Sequence, residues 1–407
     1  MARIKPFRGI RPRPDLASKV ACRPYDVLDT EEARGEAEGQ PHSYLRVVKP
    51  EIGFPPGQDP YAPVVYAKAD AEFRRLLAEG VMRRDEKPCL YIYAQELNGR
   101  RQTGLAACVS AEDYTSGVIL KHELTRPDKE DDRLRHILAT KLHAEPVFFT
   151  YRAEAAARRR IQEITAGRPD NDFVAPDGVR HLLWVANDAR WMEDVVAIFA
   201  KIPRFYIADG HHRSAASARA ARELAGQGLP EAAWFLAVIF PHDELHIFDY
   251  NRVVSELGGR SPAEFLAALG KDFDIQPLAR AEKPGAPRRF SLYIAGSWHR
   301  LILKSFAAAS DPVANLDVSL LARHVLEPLL GITDQRRDKR MDFVGGIRGL
   351  EELARRVDSG KARAAFAMHP VSLEELMKVS DAGFIMPPKS TWFEPKLRSG
   401  LVVHAIE

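Results

Sequence analysis

The sequence predicts an α/β to α+β fold built on a mixed sheet, followed by a smaller α+β domain. Strand-like and helix-like segments alternate through residues 1–255, which is typical of layered α and β structure. Asn98 and Gly99 join two strand-like runs and favour an antiparallel hairpin. The apolar run 205–207 passes through Gly210 into an alanine- and arginine-rich segment that favours a helix. A hairpin within an alternating pattern indicates a sheet with both strand directions.

The length of 407 residues exceeds the usual size of one domain and predicts two or three. We place the main boundary between residues 255 and 256, so that 1–255 and 256–407 are separate domains. We expect the tail of the second domain to return to the functional site of the first.

Charge and cysteine content exclude several classes of protein. Lys and Arg number 59 against 56 Asp and Glu, and a net charge of +3 is too small to indicate a nucleic-acid or membrane partner. The cysteines Cys22, Cys89 and Cys108 lack metal-ligand spacing and fit a reducing compartment. The first residues contain no apolar secretion segment. We therefore expect a cytoplasmic protein, and the sequence leaves its oligomeric state open.

Apolar periodicity predicts the elements of the first domain. Phe73, Leu76 and Leu77 fall on one face of an amphipathic helix, and short apolar runs bounded by turn residues predict strands. The predicted strands are 43–48, 89–96, 103–109, 146–151, 181–186, 205–207 and 232–240. The predicted helices are 65–79, 131–143, 153–166, 191–200 and 214–224.

Capping residues and turns predict the elements of the second domain. Ser261 and Pro262 begin a helix that runs to residue 269. Ser372 and Glu375 have the spacing of a capping box at the start of another helix. The other predicted elements are a loop over 276–289, a hairpin of 290–295 and 299–304, helices over 320–330 and 350–357, and a strand over 364–368.

The segment 209–213, Asp-Gly-His-His-Arg, places four polar side chains at the start of a predicted helix. A strand-to-helix turn at Gly210 aims backbone N–H groups and the positive end of the helix dipole at one point. His212 and Arg213 add donors, so the turn fits an anion. In the structural alternative, Asp209 caps the helix and pairs with Arg213.

Tyr25 and Asp26 follow Pro24, which stiffens the turn that presents them. Asp26 is either a ligand or a helix cap. The local sequence favours the cap, because an acidic helix start follows at residues 29–32.

His122 and Glu123 follow a short apolar run. A partly desolvated glutamate at a strand end can act as a general base, and His122 or Thr125 can orient a hydroxyl substrate. A salt bridge from Glu123 to Arg126 or Arg133 is an equally good alternative. We expect no metal site here, because no HExxH spacing occurs and the other histidines of the region lie on different elements.

Lys389, Ser390 and Thr391 follow a rigid pair of prolines near the end of the chain. An ammonium and two hydroxyls suit a phosphate, although the glycines of a Walker loop are absent. In the structural alternative, this region is two terminal strands joined by a turn.

The whole chain resembles a bacterial and archaeal family known only as a domain of unknown function, number 1015. Several long motifs occur in the order found in that family, but membership alone implies little about mechanism. The motifs are Pro24-Tyr25-Asp26-Val27, His122-Glu123-Leu124-Thr125, Ala208-Asp209-Gly210-His211-His212-Arg213, Met386-Pro387-Pro388-Lys389-Ser390-Thr391, Pro395-Lys396 and Ser399-Gly400-Leu401.

The turn at 209–213 also resembles the phosphate-contacting turn of the ParB/sulfiredoxin-like superfamily. That superfamily includes DNA-partitioning nucleotidases, a sulfinic-acid reductase and free-serine kinases, and the resemblance implies a ParB/sulfiredoxin-like core with insertions. A sulfiredoxin needs a reactive cysteine in this turn, and a partition protein needs a DNA-reading module. The sequence has neither feature, so the kinase branch is the best match.

The kinase resemblance implies a phosphotransferase between ADP or ATP and a free hydroxy amino acid, serine or phosphoserine, with the direction open. The alternatives are a phosphoserine phosphatase-like hydrolase and a non-catalytic nucleotide-binding switch. The expected partners are a small-molecule substrate and a nucleotide, and the expected metal is Mg²⁺ at Asp209 or Asp26. The expected site residues are Glu123, His122 and Asp209 for catalysis, Gly210, His211, His212, Arg213, Lys389, Ser390 and Thr391 for phosphate or nucleotide, and Tyr25, Asp26, Thr125 and Arg126 for substrate.

Overall fold

The chain folds into two units in this computed structural model, which describes residues 1–407. The first unit contains residues 1–245 and 395–407, and the second contains residues 246–394. The sequence places the boundary at 255/256, whereas the units divide at 245/246 and the end of the chain returns to the first unit. No helix is both long and apolar enough to cross a membrane.

Residues 1–245 of the first unit form twelve strands and nine α-helices. The strands are β1 (Ile4–Lys5), β2 (Ile10–Pro12), β3 (Met82–Arg84), β4 (Leu90–Leu97), β5 (Arg100–Ser110), β6 (Ile119–Leu120), β7 (Leu142–His143), β8 (Val147–Tyr151), β9 (Asn171–Val174), β10 (Arg180–Ala186), β11 (Phe205–Asp209) and β12 (Trp234–Pro241). The helices are α1 (Ala17–Val20), α2 (Thr30–Ala37), α3 (Leu45–Val48), α4 (Pro63–Ala78), α5 (Ala111–Thr115), α6 (Pro127–Thr140), α7 (Ala155–Thr165), α8 (Ala189–Phe199) and α9 (His211–Glu223).

Nine of these strands form one mixed sheet, which confirms the predicted sheet type. Its order is β6-β11-β8-β12-β5-β4-β10-β9, with β1 paired to β5. β6 runs parallel to β11 and β8 parallel to β12, and the other neighbours are antiparallel. The β4–β5 pair is the predicted hairpin. Asn98 at φ 51 and Gly99 at φ 74 provide the positive φ values that its tight turn requires.

Helices cover the sheet through apolar side chains. Ile161 of α7 and Trp191, Val195 and Phe199 of α8 are buried in one cluster with the strands. In a separate cluster, α6 packs against α9 through residues that include small alanines of α9. The alanine-rich sequence of α9 therefore lets α6 lie close to it.

The strand predicted over 43–48 is wrong, because α3 occupies this segment. The buried apolar residues of 44–48 recur at i, i+1, i+3 and i+4, which is a helical spacing. Tyr44 packs edge-on against Phe73 of α4, with ring centroids 6.4 Å apart. This packing overrides the strand propensity of the two valines in the segment.

The second unit is an antiparallel sheet with helices, as predicted for an α+β domain. The sheet has the order β15-β17-β16-β19-β14-β18, and β13 pairs with β20. The strands are β13 (Ile247–Phe248), β14 (Tyr250–Val254), β15 (Phe273–Leu278), β16 (Arg289–Ile294), β17 (Ser297–Leu303), β18 (Met341–Gly345), β19 (Ala364–Met368) and β20 (Trp392–Phe393). The helices are α10 (Pro262–Leu269), α11 (Asp317–Leu321), α12 (Glu327–Leu330), α13 (Gly349–Asp358) and α14 (Leu373–Asp381).

The capping residues predicted in this unit are confirmed, but the predicted start of one loop is wrong. Ser261 and Ser372 both form capping boxes, at the starts of α10 and α14. The loop predicted over 276–289 begins later, because β15 continues to Leu278 and pairs along its whole length with β17.

The end of the chain is part of the first unit. Its last strand, β21 (His404–Ala405), pairs with β7, and Val403 forms a bridge to Ile10.

Helix α6 ends at Thr140, before the predicted end at residue 143, because residues 142 and 143 form β7. Lys141 at φ 54 ends the helix and turns the chain into β7.

Candidate functional site

The strand-to-helix turn lies where β11 passes into α9. Gly210 is the N-cap of α9, with φ 93 and ψ 34, a left-handed conformation that glycine adopts without strain. No side chain caps this helix, so Asp209 is not the cap, but its predicted pairing with Arg213 is present. The first N–H groups of α9 therefore have no capping side chain and can serve an anion.

Arg213 is buried and pairs with the chain around the turn. Its Nη1 donates to the Pro146 carbonyl at 2.5 Å, and its Nη2 donates to Asp209 Oδ2 at 3.1 Å. Its Nε is buried without a hydrogen-bond partner. Burial opposes the charge, but Asp26, Asp209 and Glu145 outweigh that effect and raise the pKa of Arg213. Arg213 is therefore a permanent buried cation beside the turn.

Asp209 faces two cations, because Lys396 Nζ lies 3.5 Å from its Oδ1 in addition to the contact with Arg213. Burial opposes ionisation of this carboxyl, but the charges of Lys396 and Arg213 outweigh burial and lower the pKa of Asp209. Asp26 is exposed, and its charge also acts on Arg213. Mg²⁺ needs anionic oxygens that are not already neutralised by cations. Asp209 is paired with two cations, and a Mg²⁺ site at Asp209 or Asp26 stays a prediction.

Parallel strand pairing brings His122 to the same turn. β6 and β11 pair in parallel, so both strands end at the same edge of the sheet and the residues after them meet. The rings of His122 and His211 lie edge to face with centroids 4.5 Å apart, and the His122 backbone N–H donates to His211 Nε2 at 3.5 Å. Both imidazoles are buried, with 2% and 6% exposure.

Burial keeps these two histidines neutral near pH 7. It lowers the pKa of His122 to about 4, against smaller opposing effects of the Ile207 backbone and Asp209. It also lowers the pKa of His211, with help from His122 and against the charge of Asp209. Glu123 is partly exposed beside them. Each of His122, Glu123 and His211 offers one atom that could ligate a metal, and these three atoms all lie within 4.8 Å of one another.

His212, at the start of α9, is hydrogen-bonded to the segment that precedes α6. The Arg126 backbone N–H donates to His212 Nε2 at 3.0 Å, which places the proton of the neutral ring on Nδ1. Burial lowers the pKa of His212. Thr125 Oγ1 donates to Glu130 Oε2 at 3.0 Å, and the Arg126 guanidinium pairs with Asp128 at 2.8 Å. The side chains of Thr125 and Arg126 thus bind α6, and their role in substrate binding stays a prediction.

Tyr25 lies in a buried ionic network. Its backbone N–H donates to Glu145 Oε1 at 3.0 Å, and its ring centroid lies 3.9 Å from Arg133 Cζ. Ser399 Oγ donates to the same Glu145 oxygen at 2.9 Å. Burial raises the pKa of Glu145, although Arg213 and Arg133 act against it. The network joins the N-terminal loop, α6 and the chain end around one carboxyl group.

Asp26 is not a helix cap. Asp29 caps α2 instead, and its Oδ1 accepts the Glu32 backbone N–H at 2.8 Å. Asp26 is left as an exposed carboxylate whose charge acts on His212 and Arg213. Its role and that of Tyr25 in substrate binding stay predictions.

Sequence reasoning missed Glu145, Lys396 and the role of Arg133. Glu145 lies two residues before the start of the apolar strand β8, and a carboxylate there must find partners if the fold buries it. This position was the signal from which sequence analysis could have identified Glu145 as a buried, paired carboxylate. Lys396 lies in one of the family motifs, but its contact with Asp209 was not predictable because the two residues are distant in the sequence.

Lys389, Ser390 and Thr391 lie in the second unit, whereas the turn before α9 lies in the first. Ser390 Oγ donates to the Pro387 carbonyl at 2.7 Å. Lys389 Nζ lies 5.8 Å from the ring centroid of Tyr250. Their role in phosphate binding stays a prediction.

Comparison with known proteins identifies a family. The family described as "Protein of unknown function (DUF1015)" matches residues 4–319. No curated protein matches the chain.

Several solved structures are similar at low identity. A free serine kinase in complex with AMP is 12% identical with a TM-score of 0.34, over 73% of this chain and 92% of that chain. C-terminally truncated SbnI from Staphylococcus aureus is 12% identical with a TM-score of 0.38, over 72% of this chain and 85% of that chain. A conserved hypothetical protein from Pyrococcus furiosus is 13% identical with a TM-score of 0.32, over 73% of this chain and 95% of that chain. These values are too low to assign a ligand or a reaction to this chain.

Proposed function

Because the chain belongs to this family of unknown function, we propose its activity from the site itself: phosphotransfer between ADP or ATP and a free hydroxy amino acid, serine or phosphoserine. The observation that carries the proposal is the meeting of the His122-Glu123 segment with the uncapped start of α9. A carboxylate base and a phosphate-binding helix start are the two parts that such a reaction needs.

The start of α9 supports phosphate binding in two ways. The helix has 13 residues and no capping side chain, so its first N–H groups and its dipole favour an anion. Arg213 adds a buried positive charge that Asp209 holds in place. Asp209, with its lowered pKa, serves in this proposal to position Arg213 and Lys396 rather than to exchange protons.

Glu123 is the proposed base. In serine phosphorylation, Glu123 takes the hydroxyl proton, and the hydroxyl oxygen forms a bond to the terminal phosphorus of the nucleotide. The bond from that phosphorus to the bridging oxygen breaks, and the shortened nucleotide leaves with the electron pair. The reverse reaction moves the phosphoryl group from phosphoserine to the nucleotide, and Glu123 returns the proton to serine. Proton transfer of this kind contributes about 10²–10⁴-fold, and fixed donors around the phosphoryl group contribute the larger electrostatic part.

Phosphate transfer by the full chain tests the proposal. The chain is incubated with ADP or ATP and a panel of hydroxy amino acids, and with phosphoserine for the reverse reaction. Glu123→Gln should lower turnover by about 10²–10⁴-fold and leave nucleotide affinity nearly unchanged. Glu193→Gln, on the exposed face of α8, is the matched control and should be as active as the unmodified chain.

Two results would contradict phosphotransfer. Tight nucleotide binding without turnover, unaffected by Glu123→Gln, would indicate the nucleotide-binding switch. Release of inorganic phosphate from phosphoserine in the absence of nucleotide would indicate the hydrolase.

A further inference from the structure

Three metal-ligating side chains from two separate segments meet beside the turn. His122 and Glu123 follow β6, and His211 is the first residue of α9. Their ligand atoms lie within 4.8 Å of one another. We propose that His122, Glu123 and His211 bind one divalent transition-metal ion, Zn²⁺. This inference does not depend on phosphotransfer.

The ligand types favour a transition metal such as Zn²⁺ over Mg²⁺ and Ca²⁺. Imidazole nitrogens and a glutamate oxygen bind Zn²⁺ at about 2.0–2.2 Å, whereas Mg²⁺ and Ca²⁺ prefer oxygen ligands alone. Three protein ligands leave a fourth position for water or a substrate oxygen. An open position is typical of reactive zinc sites, and structural zinc sites fill all four positions with protein.

The fold holds the two histidines together without a metal. Both rings are buried, and they lie edge to face at 4.5 Å.

Zinc binding requires the three ligand atoms to move closer together. A tetrahedral ion with bonds of about 2.1 Å holds its ligand atoms about 3.4 Å apart. The present span of up to 4.8 Å must therefore shorten by as much as about 1.4 Å. Glu123 is partly exposed and rotates about several side-chain bonds, so its carboxylate has the most freedom to approach the two imidazoles.

Sequence spacing could not reveal this cluster. The expectation of no metal site rested on ligands close together in the chain, such as HExxH. His122 and His211 are 89 residues apart, and only the parallel pairing of β6 with β11 brings their segments together.

The consequence for Glu123 is a competition between two roles. An oxygen lone pair bound to zinc is not available to take a proton from a substrate. Phosphotransfer is therefore assayed on the zinc-free chain and metal binding in a separate titration, and a chain that is inactive without zinc but still binds zinc would remove the phosphotransfer proposal while retaining the zinc site.

Zinc titration of the metal-stripped full chain tests the site. With a chromophoric chelator as competitor, one tight equivalent of Zn²⁺ is expected. Glu123→Gln and His211→Gln should each weaken binding by at least about 100-fold, more than the loss of an outer partner. His299→Gln removes a partly exposed imidazole of the second unit, outside the cluster, and it should bind zinc as tightly as the unmodified chain.

A second measurement does not rely on variants. Co²⁺ bound to the unmodified chain in place of Zn²⁺ should show the strong visible absorption of a four- or five-coordinate site with histidine ligands. A spectrum of the aqueous ion would overturn the proposal. So would unchanged zinc affinity in both Glu123→Gln and His211→Gln, with circular dichroism confirming that each variant is folded.

Discussion

At the scale of single residues, Gly210 links the backbone of the turn to the charge beside it. Its φ of 93 lies in the left-handed region, and a Cβ there would be 3.2 Å from Cζ and Nε of Arg213. Two independent constraints, one on the backbone and one on space, therefore require glycine at this position. The sequence reveals the turn, but only the structure reveals that Arg213 packs against the missing side chain.

Gly210→Ala should destabilise the first unit by about 1–3 kcal/mol through backbone strain, with a further loss from displacing Arg213. Urea unfolding measures the change. Gly178→Ala is the matched control, because Gly178 has φ 81 and no atom within 4 Å of the added Cβ. Equal losses in the two variants would show that Arg213 moves aside at no cost, contrary to this prediction.

His136 makes the stability of the first unit depend on pH. Its Nε2 lies 2.8 Å from the Val47 carbonyl. Burial lowers the pKa of His136 to about 4, and the charge of Arg133 adds to this effect. An unfolded imidazole titrates near about 6.5, so the unfolded state binds the proton first as the pH falls. Stability from this residue is complete above about pH 6.5, falls towards pH 4 and then levels off.

His136→Gln should reduce that pH dependence. The glutamine keeps an N–H donor for the Val47 carbonyl and removes the titration, so the loss of stability between pH 6.5 and pH 4 should shrink by about 3 kcal/mol. Urea unfolding at several pH values measures it. An unchanged slope between the two pH limits would contradict the assignment to His136.

At the scale of elements, the sequence predicted correctly those elements that depend on interactions between residues close together in the chain. The β4–β5 hairpin and the capping boxes at Ser261 and Ser372 depend on residues a few positions apart, and all were predictable. Segment 43–48 was not, because its burial between other elements outweighed its strand propensity. The end of α6 at Lys141 was also missed, because it depends on pairing between β7 and the chain end.

Ser372→Ala should destabilise the start of α14. The Ser372 hydroxyl accepts the Glu375 backbone N–H at 3.2 Å, and the Glu375 carboxylate accepts the Ser372 N–H at 2.8 Å. Loss of such a cap costs about 1 kcal/mol, and amide exchange in α14 should accelerate accordingly. Ser359→Ala is the control, because its hydroxyl donates only to an exposed Arg356 carbonyl at the end of α13. Equal acceleration in both variants would argue against the capping box.

At the scale of the whole molecule, the sequence predicted that two of the site segments would meet, but it did not predict the partners of their side chains. The turn at 209–213 and the His122-Glu123 segment were predicted as parts of one site, and the structure brings His122 to His211. The contact of Lys396 with Asp209 and the pairing of β21 with β7 involve short segments far apart in the chain. Two-residue strands have no periodicity of their own, so no local pattern could predict them.

Residues 395–407 should therefore support the first unit specifically. Val403 pairs through its backbone with Ile10, and the Ser399 hydroxyl donates to the buried carboxyl of Glu145. A chain that ends at residue 394 exposes those partners and leaves Glu145 short of a donor, a change that costs about 1–3 kcal/mol for one buried group. The other contacts of the segment add to this loss.

Hydrogen exchange of the chain ending at residue 394 measures this effect in each unit. Amides of β7 and of the segment around Ile10 should exchange faster than in the full chain, because their backbone partners are gone. Strands β16, β17 and β19 of the second unit are the internal control, since they pair only with strands of that unit. Their exchange should be unchanged. Equal protection of the first unit in both chains would show that its fold does not need residues 395–407, and equal loss in both units would show a general unfolding rather than a specific support of the first.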